Sequence, residues 1–343
     1  MPKQSNLKLK IGFYRDALIG DNLVSIPAMY AIKALYPSCK LVVYTNSIGM
    51  ELYSGYEFID ELVDMDALTH EGIQAHINSW GFDYFILTQA NRWRCKLINA
   101  TNAKTILSLL SLGSIFRPKF RTLFISRNLN PTPQYQRMLK LVRQIDPKHF
   151  DSHFQEIDFS PTHLQTLPKH KEKIDHFLAP YTSFSKLVML NPFSRTCSHN
   201  LSLKAWLELT RALAILYPHI LFILPTYEGN PSPLEFSPSL PNVAIFRNNQ
   251  DLFNLIELIS RLWLLISPST GNAHIANNLK IPLLGLFSKR DRLLWRGENM
   301  NLDQLLTLPK PKEKMTEEEE REVIIKIIAA FENLIELEKI EEG

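Results

Sequence analysis

The sequence predicts an α/β protein of two Rossmann-like, doubly wound parallel-sheet domains in series, and three observations carry that expectation. Short apolar runs alternate with amphipathic helical stretches along the whole chain. The apolar runs, such as residues 41–45 and 262–266, lack polar alternation, as strands covered on both faces do. The 343 residues, 45% of them hydrophobic, suffice for two ordinary cores.

Taken in order, the first strand is expected over residues 8–14, and the loop after it ends in Gly20-Asp21. One amphipathic helix then runs to Tyr36, where Pro37 stops it. Strands follow at 41–45, near 58–63 and at 84–88, with a helix over 70–80. Between Pro161 and Pro180 a Pro-, His-, Lys- and Thr-rich stretch surrounds one short helix and reads as an interdomain connection, giving domains 1–165 and 166–343. The second series has strands at 187–190, 220–224 and 243–246 and helices over 203–217 and 252–260.

The stretch that organises this half begins at Leu262. An apolar run stops at Pro268, Ser269-Thr270-Gly271 makes a turn, a short helix starts at Asn272, and a second apolar run follows Ile281-Pro282. So short a crossover makes the two strands neighbours, and the turn then lies at the carboxyl edge of the sheet, where open α/β folds bind ligands. Ser269 and Thr270 suit a helix cap, Gly271 lets a ligand approach the backbone, and the free amides of the next turn suit a phosphate. A capped crossover helix without a ligand accounts for the same residues. At the end of the chain, Thr316 and Glu319 form a capping box, and Val323, Ile324, Ile327, Ile328, Phe331, Leu334 and Ile335 make a helical apolar stripe.

Composition excludes several classes. A net charge of +3 is not the excess of a general nucleic-acid binder, and no nucleic acid is expected as a partner. Cys39, Cys95 and Cys197 are far apart and odd in number, which fits a reduced cytoplasmic compartment and no metal site. The polar N-terminus leaves no room for a signal peptide, and no apolar stretch reaches bilayer length, so membrane contact is expected to be peripheral. No glycine-rich dinucleotide fingerprint follows the first strand. Asp64-Met65-Asp66 imitates a metal-binding pair of carboxylates but reads as a strand end. From Tyr84 to Ile145 there is no Asp or Glu, while Arg92, Arg94, Lys96, Lys104, Arg117, Lys119, Arg121, Arg127, Arg137, Lys140 and Arg143 are cationic. A positive face of this kind fits an anionic glycolipid at an anionic leaflet, would suit nucleic acid too, and fits a merely solvated surface as well.

Asp21 sits at a helix start on the expected carboxyl edge, where it either caps the helix or accepts a proton from a sugar hydroxyl. Here the residues carry a resemblance. Gly20-Asp21, Pro27-Ala28 and Ala34-Leu35-Tyr36-Pro37, with residues 269–276 and 281–287, resemble the lipopolysaccharide heptosyltransferases, glycosyltransferases of family 9. The resemblance implies the GT-B fold, two such domains facing across a cleft, and an inverting transfer of heptose or a related sugar from a nucleotide-diphosphate donor such as ADP-heptose. The acceptor it implies is a lipopolysaccharide core or related glycolipid at the cytoplasmic face of the inner membrane, with no cofactor.

It further implies that Asp21 is the base and that Thr270, Gly271 and His274 belong to the donor-phosphate loop. Ser269 and Asn272 of the same turn are taken as donor-binding with them, and Gly20 and Asn22 beside Asp21, with Arg92, Arg117, Lys119 and Arg121 of the acid-free stretch, are expected to address the acceptor. Two positions depart from the family pattern. Ser269 stands where an Asp usually precedes Thr-Gly, and His199 stands near the place of a phosphate-binding Lys, so Arg195, Lys204 or a protonated His199 is left to supply that charge. These departures motivate an alternative, a weakened paralogue that binds glycolipid or a partner enzyme.

Overall fold

The computed structural model describes residues 8–125, 131–194, 200–227, 234–236, 239–308 and 315–342. The chain divides into two compact units, Met1–His163 and Leu164–Gly343.

The first unit contains β1 (Lys10–Arg15), α1 (Ile19–Leu23), α2 (Ile26–Leu35), β2 (Lys40–Thr45), α3 (Ser47–Tyr53), β3 (Glu61–Asp64), α4 (His70–Trp80), β4 (Tyr84–Leu87), α5 (Arg92–Asn99), β5 (Thr105–Leu109), β6 (Phe120–Leu123), α6 (Gln134–Arg143) and α7 (Pro147–His153). Its six strands are parallel and ordered β3-β2-β1-β4-β5-β6. Five of the six residues of β1 and of β2 are buried, which is why neither strand alternates polar with apolar residues. Crossovers toward β3 and crossovers toward β6 run in opposite senses, so right-handedness puts α2 on one face and α4 and α5 on the other. In agreement, α4 packs on α5, and α6 on α2.

The single helix expected after the first loop is two helices. Pro27 at the start of α2 has no amide hydrogen, and its ring would strike the Leu23 carbonyl, so α1 ends there and a turn at Val24-Ser25 resets the chain. The expected single positive face is divided too. The α5 and α6 cations lie on opposite faces of the sheet, Arg94 pairs with Asp16 at 2.9 Å, Lys104 with Asp83 at 2.8 Å, and Arg143 with Asp151. Carboxylates from elsewhere in the fold neutralise part of a stretch that is acid-free in sequence.

The second unit contains α8 (Pro168–Leu178), β7 (Lys186–Leu190), α9 (Leu203–Leu216), β8 (Ile220–Tyr227), β9 (Val243–Asn248), α10 (Leu252–Ser260), β10 (Leu264–Pro268), α11 (Gly271–Asn278), β11 (Leu283–Ser288), α12 (Lys289–Leu294), β12 (Leu305–Leu308) and α13 (Glu317–Glu342). Its parallel sheet has the order β12-β11-β10-β7-β8-β9, the same topology as the first. The stretch expected to connect the domains holds α8, which packs on α10 and buries His170 and Ile174, so most of it is part of this unit.

The core gathers Trp206 and Leu209 of α9, Phe222 of β8 and Ile266 of β10 under Val323, Ile327, Phe331 and Ile335 of α13. Those four positions recur every fourth residue, the spacing that makes one helical stripe. The capping box at the start of α13 is formed: the Thr316 amide donates to Glu319 at 2.8 Å and the Glu319 amide to Thr316 at 3.2 Å. Glu320 accepts from the Ser202 hydroxyl at 3.0 Å and ties the terminal helix to the start of α9.

Candidate functional site

In each sheet the strand order reverses between two central strands, β1 and β4 in the first and β7 and β10 in the second. At such a point the loops leaving the carboxyl ends diverge and open a crevice, the usual ligand site of doubly wound sheets. Both sequence motifs fall there.

In the first unit Arg15 closes β1. Its Nε donates to the Asp21 carbonyl at 2.9 Å, and its Nη2 donates to Asp21 Oδ1 at 2.6 Å. Its Nη1 reaches Thr88 Oγ1 at 3.4 Å, and the Thr88 hydroxyl donates to the Tyr14 carbonyl at 2.7 Å, which joins β1 to the loop after β4. The Arg15 side chain is 3% exposed and that of Asp21 28%. Burial holds the Asp21 pKa above the ordinary carboxylate value, with the Arg15 charge opposing, and burial lowers that of Arg15. Among the described residues nothing bonds Asp21 Oδ2. The arrangement is a half-buried carboxylate fixed through one oxygen, with a more basic character than a free aspartate. Asp21 is not the α1 cap: that position is Leu18, and it makes no side-chain cap.

Gly20 lies beside Asp21 in α1, and Arg92 is exposed at the start of α5 on the same sheet edge. The other expected acceptor residues are elsewhere or occupied. Asn22 is fully buried: its Nδ2 donates to the Ala17 carbonyl at 3.0 Å, and its Oδ1 accepts from Tyr53 at 3.1 Å, so it braces α1 against α3 and cannot reach an acceptor. Lys119 donates to the carbonyls of Asn99 and Thr101, capping the end of α5 at the amino edge of the sheet. Arg117 donates to the Gly113 carbonyl at 2.7 Å and Arg121 to the Gln144 carbonyl at 2.7 Å, so each braces a neighbouring backbone. Asp64 and Asp66 are also structural. Asp64 accepts from the Asp66 amide at 2.9 Å, and Asp66 accepts from the Ser47 amide at the start of α3 at 3.0 Å. Among the described residues no group of three or more His, Cys, Asp or Glu side chains is placed to hold a metal.

In the second unit β10 pairs with β11, as the short crossover requires, and Ser269-Thr270 makes the turn into α11. Thr270 occupies the cap position, yet its hydroxyl caps nothing. It accepts from Asn191 Nδ2 at 3.1 Å and lies 3.1 Å from Ser267 Oγ; the same Nδ2 donates to Ser267 Oγ at 3.0 Å. This network spans the strand-order reversal, because Asn191 follows β7 and Thr270 follows β10. It holds the Thr270 oxygen away from the first turn of α11, whose amides no side chain caps among the described residues. The sequence reading missed Asn191, although Asn-Pro directly after an apolar strand marks the start of a carboxyl-edge loop.

Ser269, Thr270, Gly271 and Asn272 are all partly exposed on this turn, whereas His274 is 4% exposed. Its ring packs edge-on against Trp295, 5.8 Å between centroids, and Nδ1 has no hydrogen-bond partner among the described residues. Burial pushes its pKa down to about 4, so it is neutral at physiological pH and cannot serve a phosphate as a cation. Lys204 is spent on Glu317 at 2.9 Å. Arg195 and His199 lie outside the described residues. Lys289 and Arg290 are exposed just beyond β11, on the edge next to the Thr270 turn, and sequence reasoning passed over them.

Residues 247–324, which hold this turn, match the family described as glycosyltransferase family 9 (heptosyltransferase), the family the motifs resemble. No curated protein matches the chain in sequence. Solved structures match it along its length. A family 9 glycosyl transferase from Veillonella parvula has 13% identity and a TM-score of 0.71 over 95% of this chain and 97% of its own. ADP-heptose LPS heptosyltransferase II of E. coli has 12% identity and a TM-score of 0.69 over 94% and 98%. E. coli heptosyltransferase WaaC with ADP-2-deoxy-2-fluoro heptose has 15% identity and a TM-score of 0.64 over 96% and 100%. At these identities the likeness is one of fold: two doubly wound parallel-sheet units of the GT-B kind.

Proposed function

We propose that this chain, whose residues 247–324 match glycosyltransferase family 9, is an inverting glycosyltransferase that moves a sugar, heptose or a close relative, from a nucleoside-diphosphate donor to a lipopolysaccharide core or related glycolipid. The observation that carries the reading is the α11 turn at the strand-order reversal of the second sheet, with its first amides uncapped because Asn191 holds the Thr270 hydroxyl. First-turn amides at the positive end of a helix, uncapped by the Thr270 side chain, stabilise a diphosphate better as it leaves with extra charge than while it is bonded to sugar, which is the differential binding catalysis requires. No metal is required for that stabilisation.

The acceptor hydroxyl loses its proton to Asp21 Oδ2 as its oxygen attacks the anomeric carbon. The bond from that carbon to the diphosphate oxygen breaks on the opposite face, the electron pair leaves with the nucleoside diphosphate, and the configuration inverts. Arg15 keeps Oδ1 engaged and so presents Oδ2. Ser269, in place of a carboxylate, offers a neutral hydroxyl to the sugar, and Lys289 and Arg290, exposed just beyond β11, are cations on the sheet edge that carries the donor turn. An acceptor of this class is embedded in a membrane, and the proposal includes peripheral work at the cytoplasmic face of the inner membrane.

Calorimetric titration with ADP, UDP and GDP tests the donor half, and mass spectrometry of a lipopolysaccharide-core acceptor incubated with ADP-heptose tests transfer. Binding of a nucleoside diphosphate without turnover of any sugar donor would leave the weakened, binding-only paralogue as the better account.

A further inference from the structure

The loops at the carboxyl edge of the first sheet invert the usual distribution of polar and apolar residues. In the segment between β5 and β6, Ser114 is buried while Leu112 is 88% and Phe116 95% exposed. The inversion is built in. The Ser111 amide donates to the Ser114 hydroxyl at 2.9 Å, the Ile115 amide to the Ser111 carbonyl at 3.1 Å, and Arg117 Nε to the Gly113 carbonyl at 2.7 Å. Gly113 lies against the first residue of α5, so closely that a Cβ there would stand 2.9 Å from the Arg92 backbone. The turn is therefore pinned on its polar side, and its apolar side chains have no route inward. Phe116 holds φ at 60°, a left-handed conformation that is costly for a bulky side chain and persists only where the surroundings impose it. Beside it Trp93, in the first turn of α5, is half exposed, and Phe124, just after β6, is 72% exposed.

Two exposed cations of α5 stand among these side chains with no carboxylate partner among the described residues. Arg92 and Lys96 are exposed, whereas Arg94 of the same helix is paired with Asp16 at 2.9 Å and Arg121, within β6, donates to the Gln144 carbonyl. Protruding aromatic and aliphatic tips within a cationic surround match the interfacial region of an anionic bilayer, where apolar groups enter the acyl boundary and cations meet lipid phosphate. A second copy of this chain would bring the same positive charge against itself.

We propose that the tip formed by Leu112 and Phe116, with Trp93 and Phe124 beside it, inserts into an anionic bilayer and orients the carboxyl edge of the first sheet, with Asp21, toward the membrane. The inference rests on the membrane-surface part of the function proposed above and names the element that makes the contact. Each apolar tip contributes about tenfold to partitioning when it leaves water.

The test is vesicle co-sedimentation with phosphatidylglycerol–phosphatidylcholine mixtures, without donor or acceptor. Phe116→Gly removes the ring and the backbone strain together, so the variant is expected to be at least as stable as the wild type while binding about tenfold less. Leu112→Ser with Phe116→Gly is expected to bind about a hundredfold less, and Phe116→Trp to show fluorescence quenched by brominated acyl chains. Wild-type binding that is unchanged in the double variant, that is as strong to pure phosphatidylcholine, or that leaves Phe116→Trp unquenched overturns the proposal. So does a wild-type dimer in solution that the double variant abolishes, because the tip then covers a second copy. ADP titration of the same proteins reports the donor turn separately, so a chain that binds vesicles through the tip but no nucleotide would refute the transferase and keep this inference.

Discussion

Replacing Asp21 by Asn removes one charge and leaves the shape, so its two consequences can be calculated separately. Asn retains an acceptor for Arg15 Nη2, and the Arg15 Nε bond to the backbone carbonyl at position 21 is untouched. What is lost is the countercharge to a guanidinium that is 3% exposed. Breaking a fully buried pair costs about 3–5 kcal/mol, but Asp21 is 28% exposed and water screens part of the loss. A destabilisation of about 1–3 kcal/mol is therefore expected in chemical denaturation, confined to the first unit.

The chemical consequence is larger. An amide cannot take the acceptor proton, and transfer should fall about 10²–10⁴-fold, the usual worth of a positioned base. ADP affinity should not change, because the donor turn belongs to the other unit. The wild-type rate should also decline with acid at a pH above the ordinary aspartate value of about 3.9, because burial raises the Asp21 pKa and only the carboxylate form accepts the proton. Single-turnover transfer by folded Asp21→Asn at several pH values is the decisive assay. Wild-type rates in that variant would refute the base assignment, and a rate loss that merely tracks the unfolded fraction would show that Asp21 serves only to neutralise Arg15.

Two further outcomes follow from the second unit. Asn191→Ala removes the donor that holds Thr270 and Ser267, which should cost about 1–2 kcal/mol in stability; the released hydroxyl can then turn to cap α11 in competition with a diphosphate, lowering ADP affinity about tenfold. Identical ADP titrations for variant and wild type would remove Asn191 from the site. His274 is protonated near 6.5 in the unfolded chain and only at about 4 in the fold, so the unfolded state holds more protons between those values. The stability this contributes is full above pH 6.5 and is lost as the pH falls toward about 4, up to about 3 kcal/mol. His274→Gln should flatten that acid slope in denaturation curves, and an equal slope in both proteins would show that the fold does not depress the His274 pKa.

Some of this was legible in the sequence because it depends on neighbours in the chain. The apolar runs marked the central strands, since strands covered on both faces must be apolar at every position, and α4 and α10 were bounded by their caps and periodicity as found, at His70–Trp80 and Leu252–Ser260. The Ser269-Thr270-Gly271 turn was placed at a sheet edge for the same local reason, a crossover too short to leave adjacent strands. The strands β5, β6 and β12, Thr-Ile-Leu-Ser-Leu, Phe-Arg-Thr-Leu and Leu-Leu-Thr-Leu, were not recognised, because each is only four or five residues long and is interrupted by polar residues. Pro27 was in plain sight, but only its steric conflict with the preceding turn shows that it divides a helix.

Tertiary structure decided what each polar residue is free to do. Asn22 and Asp21 are adjacent in sequence, yet one is sealed under Tyr53 and the other keeps an open oxygen, and no local rule separates them. Lys119 and Arg92 carry like charges, but parallel strand pairing sends one to the amino edge to cap α5 and leaves the other exposed at the carboxyl edge. Asn191 and Thr270 are 79 residues apart and meet only because β7 and β10 are neighbours where the strand order reverses. Residue types and their spacing fix the elements; the pairing of distant strands fixes which hydrogen bonds are already taken, and so which groups remain for a ligand.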